Sequence, residues 1–143
     1  MHSGKRYIIV NVLIISILII SLLLGYFNLE NLKNYDDKVS NLIGILGSCV
    51  LPFIVISIII QILIMILTFT NKRVLNIISL IFEIIYFIFV NLTCVPFAFL
   101  NFCFLNELLG YLVFIGFEIL NIYIIVLQIK MIIKNRKVGE KSE

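Results

Sequence analysis

The sequence predicts an all-α integral membrane protein: a four-transmembrane-helix bundle with both chain ends in the cytoplasm. Three observations lead there. Hydrophobic residues fill 62% of the 143 positions and charged ones only 13%, with a mean hydropathy of +1.19. Soluble domains run at about 45–50% apolar and about 25% charged, and no soluble fold of this length buries so much apolar surface. The apolar residues fall into four long runs with short breaks between them. The basic residues gather at breaks that an even number of crossings places on one side.

The first run covers 7–27 and carries no charge. About 20 apolar residues at 1.5 Å each cover the roughly 30 Å hydrocarbon layer. It exceeds the apolar stretch of a cleaved signal peptide, and no small-residue cleavage site follows, so it reads as a retained helix. Residues 28–41 are polar and read as an external loop. Leu29, Leu32, Tyr35 and Val39 also recur at the spacing of a short helix lying on the membrane surface.

The second run, 42–70, is long enough to tilt or bend. Pro52 removes a backbone donor inside it and is expected to kink it. Gly44 and Ser48, four apart, offer a small-residue face for close helix approach. Gln61 is a lone amide at depth, expected to bond to a neighbouring helix. A three-residue turn then leads to the third run, 74–91, so these two helices are expected to be antiparallel neighbours. Residues 92–107 are too apolar for a free loop and contain Pro96. They read as an external, interfacial segment. The fourth run covers 108–130, and the basic tail after it is expected to fray.

Orientation follows from charge. Lys5, Arg6, Lys72, Arg73, Lys130, Lys134, Arg136, Lys137 and Lys141 fall at the two chain ends and the second connection. Only Lys33 and Lys38 fall in the first connection. The positive-inside rule puts the richer side in the cytoplasm of a cell-membrane protein. These charges flank apolar runs and form no basic domain, which argues against nucleic-acid binding.

Two acids stand inside apolar runs: Glu83 and Glu118. Counted from Arg73 and Lys130, they lie about 15 Å and about 18 Å deep, near one level. Each belongs to a polar stripe. Asn76, Ser79, Glu83 and Tyr86 follow 3-4-3 spacing, while Tyr111, Glu118, Asn121 and Gln128 follow 7-3-7. A central charged residue facing lipid costs about 2.5–3.5 kcal/mol on insertion scales, so both stripes are expected to face inward, where the carboxyls can meet. With no buried Lys or Arg beside them, at least one is expected to be protonated at pH 7. These residues, with Gln61, are the binding or proton-relay candidates. The alternative is structural: intramembrane hydrogen bonds that only hold helices together.

Cys49, Cys94 and Cys103 map toward the external end. Cys94 and Cys103 could close a disulfide outside the cytoplasm, but free thiols packed as small apolar groups are the favoured reading. No metal-ligand cluster, phosphate-binding glycine loop or nucleophile motif occurs, so neither cofactor, metal nor enzymatic activity is expected. The expected partners are the lipid bilayer and another membrane protein or a second copy of the chain. The expected function is non-enzymatic. It is exercised through helix–helix contacts, as an accessory subunit or as an immunity-type protein. A small oligomeric proton- or cation-coupled transporter or channel using Glu83 and Glu118 is the alternative.

Overall fold

The computed structural model describes residues 2–32, 38–69, 73–88, 99, 102 and 106–139, with side chains over 4–27, 50–69, 74–88, 99, 102 and 106–134. The described chain is helical. Four helices carry it: α1 (His2–Leu32), α2 (Lys38–Phe69), α3 (Arg73–Tyr86) and α4 (Glu107–Gly139). Three contain segments long and apolar enough to cross a membrane: Gly4–Phe27, Val50–Phe69 and Glu107–Lys134. The helix over 74–86 is the short one.

The boundaries correct the sequence reading in several places. Helices α1 and α2 extend into the expected loop 28–41, to Leu32 and from Lys38. From Val74 onward the described part of the third helix lies within the expected span 74–91, of which residues 89–91 fall outside the described residues. Its 14 residues at 1.5 Å each reach about 21 Å, short of the roughly 30 Å needed, and π-helical turns follow at 87–88. The expected frayed tail is helical to Gly139. Pro52 lies exposed within α2, which is helical on both sides of it. The side chains of Gly44 and Ser48, together with Cys94 and Cys103, lie outside the described residues.

Helix α1 packs on α2 and α4, and α3 packs on the same two, so the four form a ring. Their buried faces share one rhythm. The buried positions run 7, 11, 14, 18, 21 and 25 in α1, with Val10 beside them, and 50, 54, 57, 61, 64 and 68 in α2. In α3 they are 76, 79, 83 and 86, and in α4 they include 110, 117, 121, 124 and 128. Alternating steps of three and four are the repeat that keeps one seam facing its neighbours in left-handed helix packing. Outside the seams the surface is apolar. Leu23, Leu63, Phe82 and Ile119 are each more than half exposed.

Two local details explain how α3 and α4 fit. Asn106 precedes α4, and its Oδ1 accepts the backbone N–H of Leu108 at 2.9 Å, satisfying a donor that the first helical turn leaves free. Glu107 follows in that turn, where a negative charge suits the helix N-terminus. Above the short α3, aromatic rings join the core. Phe99 packs on Phe102, Phe114 and Phe117 at ring distances of 5.8, 5.4 and 5.3 Å. Of the expected interfacial segment, Phe99 and Phe102 are buried, while Asn106 and Glu107 are exposed.

Candidate functional site

The seams bring polar side chains of all four helices together. At the end where both termini lie, the Tyr7 hydroxyl of α1 meets Thr68 Oγ1 of α2 at 3.1 Å. Thr68 Oγ1 lies 3.0 Å from Ser79 Oγ of α3. Gln128 Nε2 of α4 reaches both Tyr7 and Thr68, at 3.1 and 3.3 Å. Four antiparallel helices are thereby fixed in register at one level. The exposed Lys5, Arg6, Lys130 and Lys134 lie beyond it.

About one turn further in, Gln61 of α2 bridges two other helices. Its Nε2 donates to Asn11 Oδ1 at 2.8 Å and to Glu83 Oε1 at 3.2 Å. Glu83 is buried to 1% exposure. Every described Lys and Arg side chain is near the chain ends and exposed, so Glu83 has an amide for a partner rather than a cation.

Tyr86 sits three residues beyond Glu83 on the same buried face. Its hydroxyl points toward Ser57 without forming a hydrogen bond of ordinary geometry. The Ser57 hydroxyl instead donates back to the Phe53 carbonyl at 2.8 Å.

Several acceptors of this interior receive no hydrogen bond. The Asn121 amide donates to the Phe117 carbonyl at 2.9 Å. The Asn11 amide does the same to the Tyr7 carbonyl at 3.0 Å. Gln61 and Gln128 spend their amide hydrogens across helices. Buried oxygens are left with no donor: Gln61 Oε1, Glu83 Oε2, Glu118 Oε1, Asn121 Oδ1 and Gln128 Oε1, along with the Tyr86 hydroxyl. Each buried polar atom without a partner costs roughly 1–3 kcal/mol.

The candidates named from sequence divide accordingly. Asn76, Glu83, Tyr86, Gln61, Asn121 and Gln128 are buried in the seams. Tyr111 is not, being 64% exposed, which corrects the expectation of an inward 7-3-7 stripe on α4. The inward seam of that helix passes through Gly110 and Phe117. Tyr111 and Glu118 each follow those positions by one residue, and one residue is about a 100° turn. Glu118 is therefore half-buried on the flank, with one oxygen enclosed. No hydrogen bond joins Glu83 and Glu118.

Sequence reasoning missed Tyr7, Asn11 and Thr68. Their trace in the sequence is helical spacing alone: Asn11 falls four after Tyr7, and Thr68 falls seven after Gln61. Among the described residues no group of His, Cys, Asp and Glu is arranged to hold a metal through such ligands alone. Comparison with known protein families, characterised proteins and solved structures finds no match to this chain.

Proposed function

We propose that this chain is a small multi-pass protein of the cell membrane that works without catalysis, through helix–helix contact with a membrane partner. It acts as an accessory subunit or as an immunity-type protein that shields its host membrane by engaging a toxin or the toxin's receptor. In this reading both termini are cytoplasmic, and α3 with the residues after it makes the third crossing. The basic residues at the chain ends and at Lys72-Arg73 support that orientation.

The observation that carries the reading is Glu118. Its neighbours on the α4 flank, Ile115 and Ile122, are exposed by 54% and 53%. An acid on an otherwise apolar face is expensive against lipid and favourable against a helix that brings a donor. The test is photo-crosslinking in host membranes with the reactive group at Ile115 or Ile122. A discrete adduct that weakens with Glu118→Leu supports the reading. Diffuse lipid adducts alone, unchanged by that substitution, refute it.

A second reading, a small oligomeric proton- or cation-coupled transporter or channel, is favoured by the buried oxygens around Glu83 that lack donors. Flux in proteoliposomes that Glu83→Gln or Glu118→Gln abolishes would establish it, and absence of flux would remove it.

A further inference from the structure

The seams convert bonded pairs into heights. Thr68, Ser79 and Gln128 share one level, because Thr68 bonds to both of the others. Moving seven residues inward along each helix gives Gln61, Tyr86 and Asn121. All three therefore stand about 10 Å above that level, on three different helices that face one interior. Glu83 lies one turn below Tyr86 and is tied to this level by the Gln61 amide.

Each of these four residues is buried to 3% exposure or less. Each also presents an oxygen with no donor: a carboxylate oxygen, two amide carbonyls and a phenolic hydroxyl. Glu118 adds a fifth such oxygen from the flank. A group of buried oxygens that receive no hydrogen bond suits a positive charge, and hard oxygens of this kind suit cations of the alkali series.

The charge count selects the valence. Glu83 is the single fully buried carboxylate among the described residues, and Glu118 is half-exposed. One full negative charge balanced by neutral carbonyls and a hydroxyl matches a monovalent ion. Calcium sites usually draw on several carboxylates among six to eight oxygens.

We infer that Glu83, Gln61, Tyr86 and Asn121 form an internal site for a sodium- or potassium-sized cation, with Glu118 on the side from which it enters. The site holds whether or not the ion crosses the membrane, so it stands apart from both functional readings.

The experiment uses the full chain in lipid nanodiscs, titrated with sodium chloride or potassium chloride against choline chloride at equal ionic strength. Thermal unfolding and radiolabelled-sodium binding are read together. One alkali cation should raise the midpoint saturably, by about 5 °C at salt well above the dissociation constant. Glu83→Gln should abolish the response, and Asn121→Ala should weaken binding about tenfold. Asn121→Ala also serves if the Glu83 variant does not fold. Glu118→Gln should retain saturable binding. Equal midpoints in all three salts with no saturable sodium binding would overturn the site. Saturable binding of magnesium or calcium with no alkali response would do the same. Alkali binding without flux in liposomes leaves the site standing and removes only the transport reading.

Discussion

Gln61 and Glu83, on adjacent helices, are joined by a hydrogen bond of 3.2 Å between the amide nitrogen and a carboxylate oxygen. The same amide holds Asn11 of α1 at 2.8 Å. One side chain thus ties three helices and gives the buried acid its hydrogen bond among the described residues. Gln61→Leu keeps the volume and removes both bonds. Intramembrane bonds average about 0.6 kcal/mol and reach about 1.7, and two orphaned partners add to the loss. A destabilisation of about 1–3 kcal/mol is expected in reversible unfolding from mixed micelles. A variant as stable as the parent would show that the bridge is absent.

Tyr7 and Gln128 close the ring between α1 and α4 at 3.1 Å, across 121 positions of sequence. A double-mutant cycle with Tyr7→Phe and Gln128→Leu isolates this contact from the separate effects of each change. The expected coupling is about 0.5–1.5 kcal/mol. Strict additivity of the two single changes would place the residues apart.

Phe99 holds an aromatic part of the core against α4. It contacts Phe102, Phe114 and Phe117 and is 3% exposed. Phe99→Ala should cost about 3–5 kcal/mol through the cavity it leaves. Phe53→Ala, at a half-exposed ring, should cost far less. Equal effects in thermal unfolding would mean that residues near 99 do not enter the core.

Glu118 predicts the opposite pattern. Its enclosed oxygen has no hydrogen-bond partner among the described residues, and it sits on the flank of α4. Glu118→Leu should leave the isolated protein at least as stable as the parent, while reducing the crosslinked adduct at Ile122 severalfold. Unfolding of the purified variant with no change in crosslinking would assign Glu118 a purely internal role.

Much of this arrangement was legible in the chain, and the exceptions have physical reasons. The stripe of Asn76, Ser79, Glu83 and Tyr86 was readable because four polar residues at 3-4-3 spacing define a face by themselves. On α4 the polar residues straddle two faces. Tyr111 and Glu118 lie one position past Gly110 and Phe117, and Gly110 carries no side chain to mark the seam. The true seam of α4 is fixed by packing against α1 and α3. Asn11 and Thr68 looked isolated in their own helices, and their role appears only when Gln61 and Gln128 reach them across the interior.

The most direct test is a solid-state NMR distance in lipid bilayers between the Gln61 side-chain nitrogen, labelled with nitrogen-15, and the Glu83 carboxyl carbon, labelled with carbon-13. A nitrogen–oxygen hydrogen bond of 3.2 Å places those two nuclei about 4 Å apart, and dephasing to that distance is expected. A separation beyond about 6 Å would mean that Glu83 is not held by Gln61, and the shared polar interior of the four helices would be contradicted at its centre.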